Sequence, residues 1–74
     1  MTMPIERTRS VVQTREFLQG LAAGREAPGL PEAVMREARR LLRHYPEDFI
    51  LRECSEELPE SWADPALLKR PDGA

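Results

Sequence analysis

The sequence predicts an all-α domain, in which an antiparallel helical hairpin is followed by a third, shorter helix and an irregular C-terminal tail. Three observations lead to this prediction. Apolar residues recur at helical spacing over residues 30–45, with arginines on the opposite side. A loop rich in Gly and Pro at residues 24–29 separates this stretch from an earlier helical pattern. Pro46 and Pro59 enclose a third stretch that contains several apolar residues.

The first helix is predicted at about residues 4–23. Pro4 suits the first turn because the N–H that it lacks would have no partner there, and Gly24 suits the position just after a helix end. The apolar side is broad and uneven, which favours contact with more than one neighbour. Its members are Val11, Thr14, Leu18, Leu21 and Ala22, flanked by Val12 and Phe17. The predicted wet side consists of Arg9, Gln13, Glu16 and Gly20.

The loop at residues 24–29 contains two Gly and one Pro. Its length suits an antiparallel hairpin. It is longer than the tight turn of a DNA-reading helix-turn-helix, so the sequence does not favour that motif.

The second helix, at about residues 31–45, has the clearest pattern in the chain. On a helical wheel its apolar residues share an arc of roughly 140°, as expected for a helix that faces a core. These residues are Leu30, Val34, Ala38, Leu41, Leu42 and Tyr45. The opposite side carries Glu32, Arg36, Arg39, Arg40 and Arg43. We predict that the apolar residues turn inward and that the arginines face solvent.

The ends of this helix follow from its sequence. Pro31 is compatible with the first turn, and Pro46 pushes the residue before it out of the helical region. Spacing along the helix predicts two ion pairs, Glu32 with Arg36 and Glu37 with Arg40.

A third helix is predicted at about residues 47–58, bounded by Pro46 and Pro59. Its apolar line consists of Ile50, Cys54 and Leu58, with Phe49 and Leu51 nearby. The exposed side would be acidic, with Glu53, Glu56 and Glu57. An extended connection at residues 49–51 is the alternative, since three apolar residues in a row fit either structure.

Residues 59–74 are predicted to be mostly irregular. Asp64 followed by Pro65 resembles an N-cap and the first residue of a helix, so one helical turn is expected after it. Trp62 is expected to pin this tail to the core, together with Leu67 or Leu68.

Length and charge limit the possible architectures. The 74 residues are expected to form one small domain, residues 1–74, with marginal stability, since so short a chain leaves much of its surface uncovered. The net charge is −2, but it is divided unevenly. Residues 1–45 carry eight Arg against five Glu, and residues 46–74 carry three basic residues against eight acidic ones. Opposite charges of this kind attract each other within one chain or between two copies.

The small number of Cys and His residues and the short apolar runs limit the compartment and the chemistry that we expect for this chain. A single cysteine forms no internal disulfide, and no apolar run is long enough for a signal peptide or a membrane span, so a cytoplasmic protein is expected. One Cys and one His are too few for a zinc site, and there is no glycine-rich phosphate loop. We expect neither metal nor cofactor. His44 and Cys54 are considered as base and nucleophile, but a surface His and a small core Cys are the favoured interpretations.

Six residues are candidates for binding a partner. Arg36, Arg39, Arg40 and Arg43 form either an ordinary solvated face or a docking surface for carboxylates or phosphates, which suit the planar guanidinium. Tyr45 and Trp62 are either interface anchors or residues that close the edge of a small core.

Two blocks, MTMPIERTRSVVQTREFL and LPEAVMREARRLLRHYP, resemble a family of short proteins from Pseudomonas- and Burkholderia-type proteobacteria. The resemblance covers about residues 1–46. It implies a bacterial, cytosolic protein, and it brings no assigned activity, ligand or site residue.

From these features we expect a small, non-enzymatic module for protein interaction or regulation that binds a protein partner or a second copy of itself. The alternative is a nucleic-acid-binding protein that uses the arginine face, supported by Arg7, Arg9 and Arg15. A sequence pI near 5.4 disfavours that alternative, because nucleic-acid-binding domains are usually strongly basic.

Overall fold

The computed structural model describes residues 2–25 and 29–68. Within them the chain is all-α, as predicted, with α1 at Pro4–Ala22, α2 at Glu32–Leu42 and α3 at Asp48–Glu57. A short 3₁₀ turn follows at Pro65–Leu68. The predicted bounds agree with those of α1 and α3 to within one residue, whereas the prediction for α2 ran three residues too far.

The described residues form two compact units. The hairpin unit spans Gln13–Tyr45 and contains the second half of α1 together with α2. The terminal unit joins the residues up to Val12 to those from Pro46 onward, so it contains the first half of α1, α3 and the 3₁₀ turn.

The start of α1 is stabilised by its own first turn. Pro4 is the first helical residue, and Met3 precedes it as the cap whose carbonyl accepts a hydrogen bond from the Arg7 backbone at 3.1 Å. The Glu6 carboxylate accepts a bond from the Met3 backbone N–H at 3.0 Å. This is the backward half of a capping box, in which the side chain of the third residue satisfies an N–H that the helix leaves unpaired.

The end of α1 is a glycine-dependent cap, as the sequence predicted. Gly24 has a positive φ of 74°, which a residue with a side chain adopts only at a cost. Its N–H donates to the Leu21 carbonyl at 3.1 Å, and the Arg25 N–H donates to the Gly20 carbonyl at 2.8 Å. This pair of bonds is a Schellman motif, which satisfies the last carbonyls and turns the chain out of the helix.

The helix α2 ends at Leu42, earlier than predicted, although Pro46 is the cause in both cases. Pro46 has no N–H to donate to the Leu42 carbonyl, so that carbonyl accepts from Tyr45 at 3.2 Å instead. Arg43 likewise donates to Arg40, three residues back, at 3.3 Å. The last turn is therefore tightened, and Arg43 and His44 lie in a turn beyond the helix.

The burial of α2 agrees with the prediction only in part. Ala38 is 2% exposed and Leu42 is partly buried, but Val34 and Leu41 remain 38% and 45% exposed. The prediction that all four turn inward was therefore wrong for Val34 and Leu41. The prediction for Gly20, on the supposed wet side of α1, was also wrong, because this residue is buried.

One side chain links the two helices of the hairpin unit. The Arg39 guanidinium donates to the Ala22 carbonyl at the end of α1 at 3.1 Å and to the Glu32 carboxylate at 2.9 Å. Glu32 therefore pairs with Arg39 and not with Arg36, which corrects the expectation from helical spacing. Arg39 can make both contacts because it lies two turns after Glu32, on the side of α2 next to the end of α1.

The buried side of α3 is displaced from the predicted apolar line, of which Cys54 alone is partly buried. Leu51 is 2% exposed, whereas Ile50 and Leu58, from the predicted apolar line, are 37% and 52% exposed. Phe49 is exposed as well. The three consecutive apolar residues made the sequence ambiguous, since each choice of inward residue leaves the other two facing solvent.

The tail is fixed to the first half of α1 through Thr8, which the sequence analysis did not single out. Thr8 is fully buried. Its hydroxyl donates to the Ala63 carbonyl at 3.0 Å and accepts from the Ala63 N–H at 2.9 Å. One hydroxyl thus satisfies both backbone groups of a residue 55 positions away, in a segment that has no regular secondary structure there.

A second contact lies beside it. The Arg7 guanidinium donates to the Ser61 carbonyl at 2.8 Å and lies 6.0 Å from the centre of the Trp62 ring. This distance allows a cation–π attraction. The tail then enters the 3₁₀ turn through Asp64, whose carboxylate caps the Ala66 N–H at 2.9 Å, as the sequence predicted.

Replacing Thr8 with Val keeps the shape of the side chain and removes both hydrogen bonds. We expect the free energy of unfolding to fall by about 1–3 kcal/mol, because the two backbone groups of Ala63 lose their partner. Urea denaturation followed by circular dichroism measures the change. Thr14 of the same helix is exposed, although the sequence placed it on the apolar side, and Thr14→Val is therefore the matched control. Equal effects of the two substitutions would contradict the role given to Thr8.

Replacing Gly24 with Ala forces a side chain into the left-handed region. We expect a loss of about 1 kcal/mol, since the strain of that conformation exceeds the gain from a stiffer unfolded chain. Gly24→Asn is the control, because Asn tolerates this conformation better and should cost less. Thermal unfolding of the two variants compares them, and a larger loss for Asn than for Ala would count against the assignment.

Candidate functional site

An apolar groove opens on the hairpin unit. Its volume is about 300 Å³. The residues that line it come from both helices: Leu18, Leu21, Ala33, Val34, Glu37, Ala38 and Leu41. Six of the seven are apolar, so the groove offers a partner a surface that water wets poorly.

Small side chains on α2 explain the space. Ala38 lines the groove and is almost fully buried, so it forms part of the floor. Ala33 lines the outer side and adds little bulk. The walls are the larger side chains of Leu18 and Leu21 from α1 and of Val34 and Leu41 from α2. Phe17, 54% exposed, lies one turn before Leu21 and extends the apolar surface along α1.

One carboxylate lines the groove, and its charge is neutralised. Both oxygens of Glu37 accept hydrogen bonds from the Arg40 guanidinium, the Nε bond measuring 3.0 Å. This hydrogen bonding lowers the pKa of Glu37 below its ordinary value of 4.5 and raises the pKa of Arg40. The pair is exposed to solvent, so it contributes little to stability.

The four arginines of α2 and the turn after it are all exposed, as predicted. Two of them are paired within the unit, Arg39 with Glu32 and Arg40 with Glu37. Around the helix, Arg40 lies about 20° from Ala33, and Arg36 and Arg43 follow within about 80°. This side of α2, next to Ala33, is the outer rim of the groove, and its net charge is positive because it carries three Arg against the single carboxylate of Glu37.

The other predicted site residues lie at the edges of their units. Tyr45 and Trp62 are both partly buried. Trp62 lies beside the Arg7 guanidinium within the terminal unit, and its two predicted roles stay predictions. Arg7 is engaged in the terminal unit, which weakens its predicted role as a supporting residue for nucleic acid.

The groups considered for catalysis lie in different units. His44 is exposed in the turn after α2, and Cys54 is partly buried on α3. Among residues 2–25 and 29–68, no cluster of three or more His, Cys, Asp or Glu side chains is placed to hold a metal ion. None of the helices described for this chain combines the length and the apolar character needed to cross a membrane.

The groove itself was not predicted, although the sequence contains one signal for it. The apolar side of α1 is broad and uneven, which favours contact with more than one neighbour. The prediction placed Val34 and Leu41 in the core because it assumed that the same chain covers every residue of the apolar arc of α2.

Comparisons of the chain with protein-family models, with curated proteins and with solved structures give no match. The resemblance to short proteobacterial proteins over residues 1–46 therefore stays a prediction.

The pairing of Glu37 with Arg40 gives a testable pH dependence. Because the pKa of Glu37 is lowered in the folded chain, the pair favours folding above the ordinary value of 4.5, and this contribution is lost as the pH falls through the lowered value. A carboxyl NMR titration should give a midpoint below 4.5 that rises in Arg40→Gln. Arg36→Gln is the control and should leave the midpoint unchanged, and a shift of the same size there would contradict the pairing.

Proposed function

We propose that this chain is a small, non-enzymatic protein-interaction module that binds an amphipathic helix in the groove of its hairpin unit. The observation that carries the proposal is the apolar lining of an open groove between α1 and α2. Grooves between helices are a recurrent way to bind the apolar face of a helical segment.

The exposure of the walls supports this function. Val34 and Leu41 are bulky apolar residues that keep 38% and 45% of their surface in contact with solvent. Covering such side chains contributes favourable free energy in proportion to the apolar area removed from water. The neighbouring positive rim adds a preference for a partner with carboxylates beside its apolar residues.

Nucleic-acid binding is the weaker alternative. Arg39 and Arg40 are paired with carboxylates of the same helix, and Arg7 contacts the tail. Phosphate binding would have to compete with these contacts, while a net charge of −2 gives little long-range attraction to nucleic acid.

An acidic amphipathic peptide tests the groove directly. The probe is a helical peptide with Leu at positions i, i+3, i+4 and i+7 and Glu on its other faces. We expect its addition to shift the NMR methyl signals of Leu18, Leu21, Val34 and Leu41 selectively. Leu41→Asp should weaken binding at least tenfold, because a carboxylate in the groove loses hydration when the peptide covers it.

Leu67→Asp is the matched control. Leu67 has a similar exposure of 55% but lies in the 3₁₀ turn, outside the hairpin unit. Binding of the peptide should be unchanged in this variant. Methyl shifts spread over the whole chain, or equal losses in both Asp variants, would overturn the proposal. Tight binding of a random DNA duplex that is lost as salt rises would favour the alternative.

A further inference from the structure

We propose that the helix bound in the groove is α3 of a second copy of this chain. This inference rests on the proposed function, since it requires the groove to be a helix-binding site.

The exposed face of α3 has the composition that the groove requires. Phe49 and Ile50 are 50% and 37% exposed, and Glu53 and Glu57 are exposed beside them. Around the helix these four residues share an arc of about 100°. Leu51, on another side, is the residue that α3 buries. One face of α3 therefore presents two apolar side chains followed by two carboxylates.

Charge favours this pairing of surfaces. From Glu32 to Arg43, four Arg stand against two Glu, a net charge of +2. From Asp48 to Glu57, four acidic residues stand against Arg52, a net charge of −3. A helix that places Phe49 and Ile50 in the groove can extend its carboxylates over the positive outer rim.

The same charges disfavour the symmetric alternatives. Two grooves packed face to face would bring the arginine rims of both copies together, and two α3 helices packed together would oppose their carboxylates. Like charges that face each other across an interface weaken the association, so both symmetric pairings are disfavoured. Of the three pairings, only α3 against the groove joins opposite charges, so the contact is heterologous, with different surfaces on the two copies.

A complementation experiment tests the pairing. Leu41→Asp damages the groove and leaves α3 intact, whereas Phe49→Asp damages α3 and leaves the groove intact. We expect the wild-type chain to associate as its concentration rises, measured by size-exclusion chromatography with light scattering. Each variant alone should associate at least tenfold more weakly. An equimolar mixture should regain association, because the α3 of one variant fits the groove of the other.

Leu67→Asp is again the control and should associate like the wild type. A second pair, Arg36→Glu and Glu53→Arg, changes only exposed charges and serves if an Asp variant fails to fold by circular dichroism. Each charge reversal alone should weaken association severalfold, and mixing the two should restore it.

Four results would overturn the inference. Loss of association in Leu41→Asp but not in Phe49→Asp indicates groove-to-groove packing. Absence of recovery in both mixtures contradicts a heterologous contact. A chain that stays monomeric while its groove still binds the acidic peptide refutes a second copy as the occupant and leaves the proposed function standing. A chain that neither associates nor binds the peptide refutes both.

Discussion

The scarcity of apolar surface is the constraint on which the rest of this structure depends. Among the described residues, the buried apolar side chains are Val12, Ala38, Leu51 and Pro65, too few to hold several segments together by hydrophobic burial alone. Polar contacts hold in place the segments that apolar burial does not. Thr8 fixes the tail through both backbone groups of one residue, and Arg39 connects the two helices of the hairpin. Directional bonds of this kind fix the position of a segment with little buried apolar area.

The exposed apolar side chains are grouped on two surfaces. The hairpin unit exposes Phe17, Val34 and Leu41 around or next to a groove, and α3 exposes Phe49 and Ile50 beside carboxylates. Single exposed apolar residues are normal on protein surfaces, but neighbouring ones around a concave surface are typical of binding sites. The opposite charges of the two surfaces give a physical reason for the partner we propose, since charge selects among surfaces that are similar in hydrophobicity.

The sequence predicted the type and order of the elements well, because helical periodicity and the positions of Gly and Pro are local signals. The caps at Gly24 and Asp64 were predictable for the same reason. The contacts of Thr8 were not, since a Thr within a helix carries no signal for a partner 55 residues away. The pairing of Glu32 with Arg39, and the choice of Leu51 over Ile50 as the buried residue, depend on tertiary packing that periodicity does not contain. The groove was missed because wheel patterns mark an apolar face without showing what covers it.

The position of Arg39 has a consequence for the topology of the hairpin. Its guanidinium joins the last turn of α1 to the first turn of α2. A noncovalent contact therefore connects the same two helix ends that the backbone connects covalently. Lengthening a loop adds only a small entropic penalty once its ends are held by other contacts. Residues inserted between the two helices should therefore cost little stability, because the Arg39 bridge holds the two helix ends together independently of the connection.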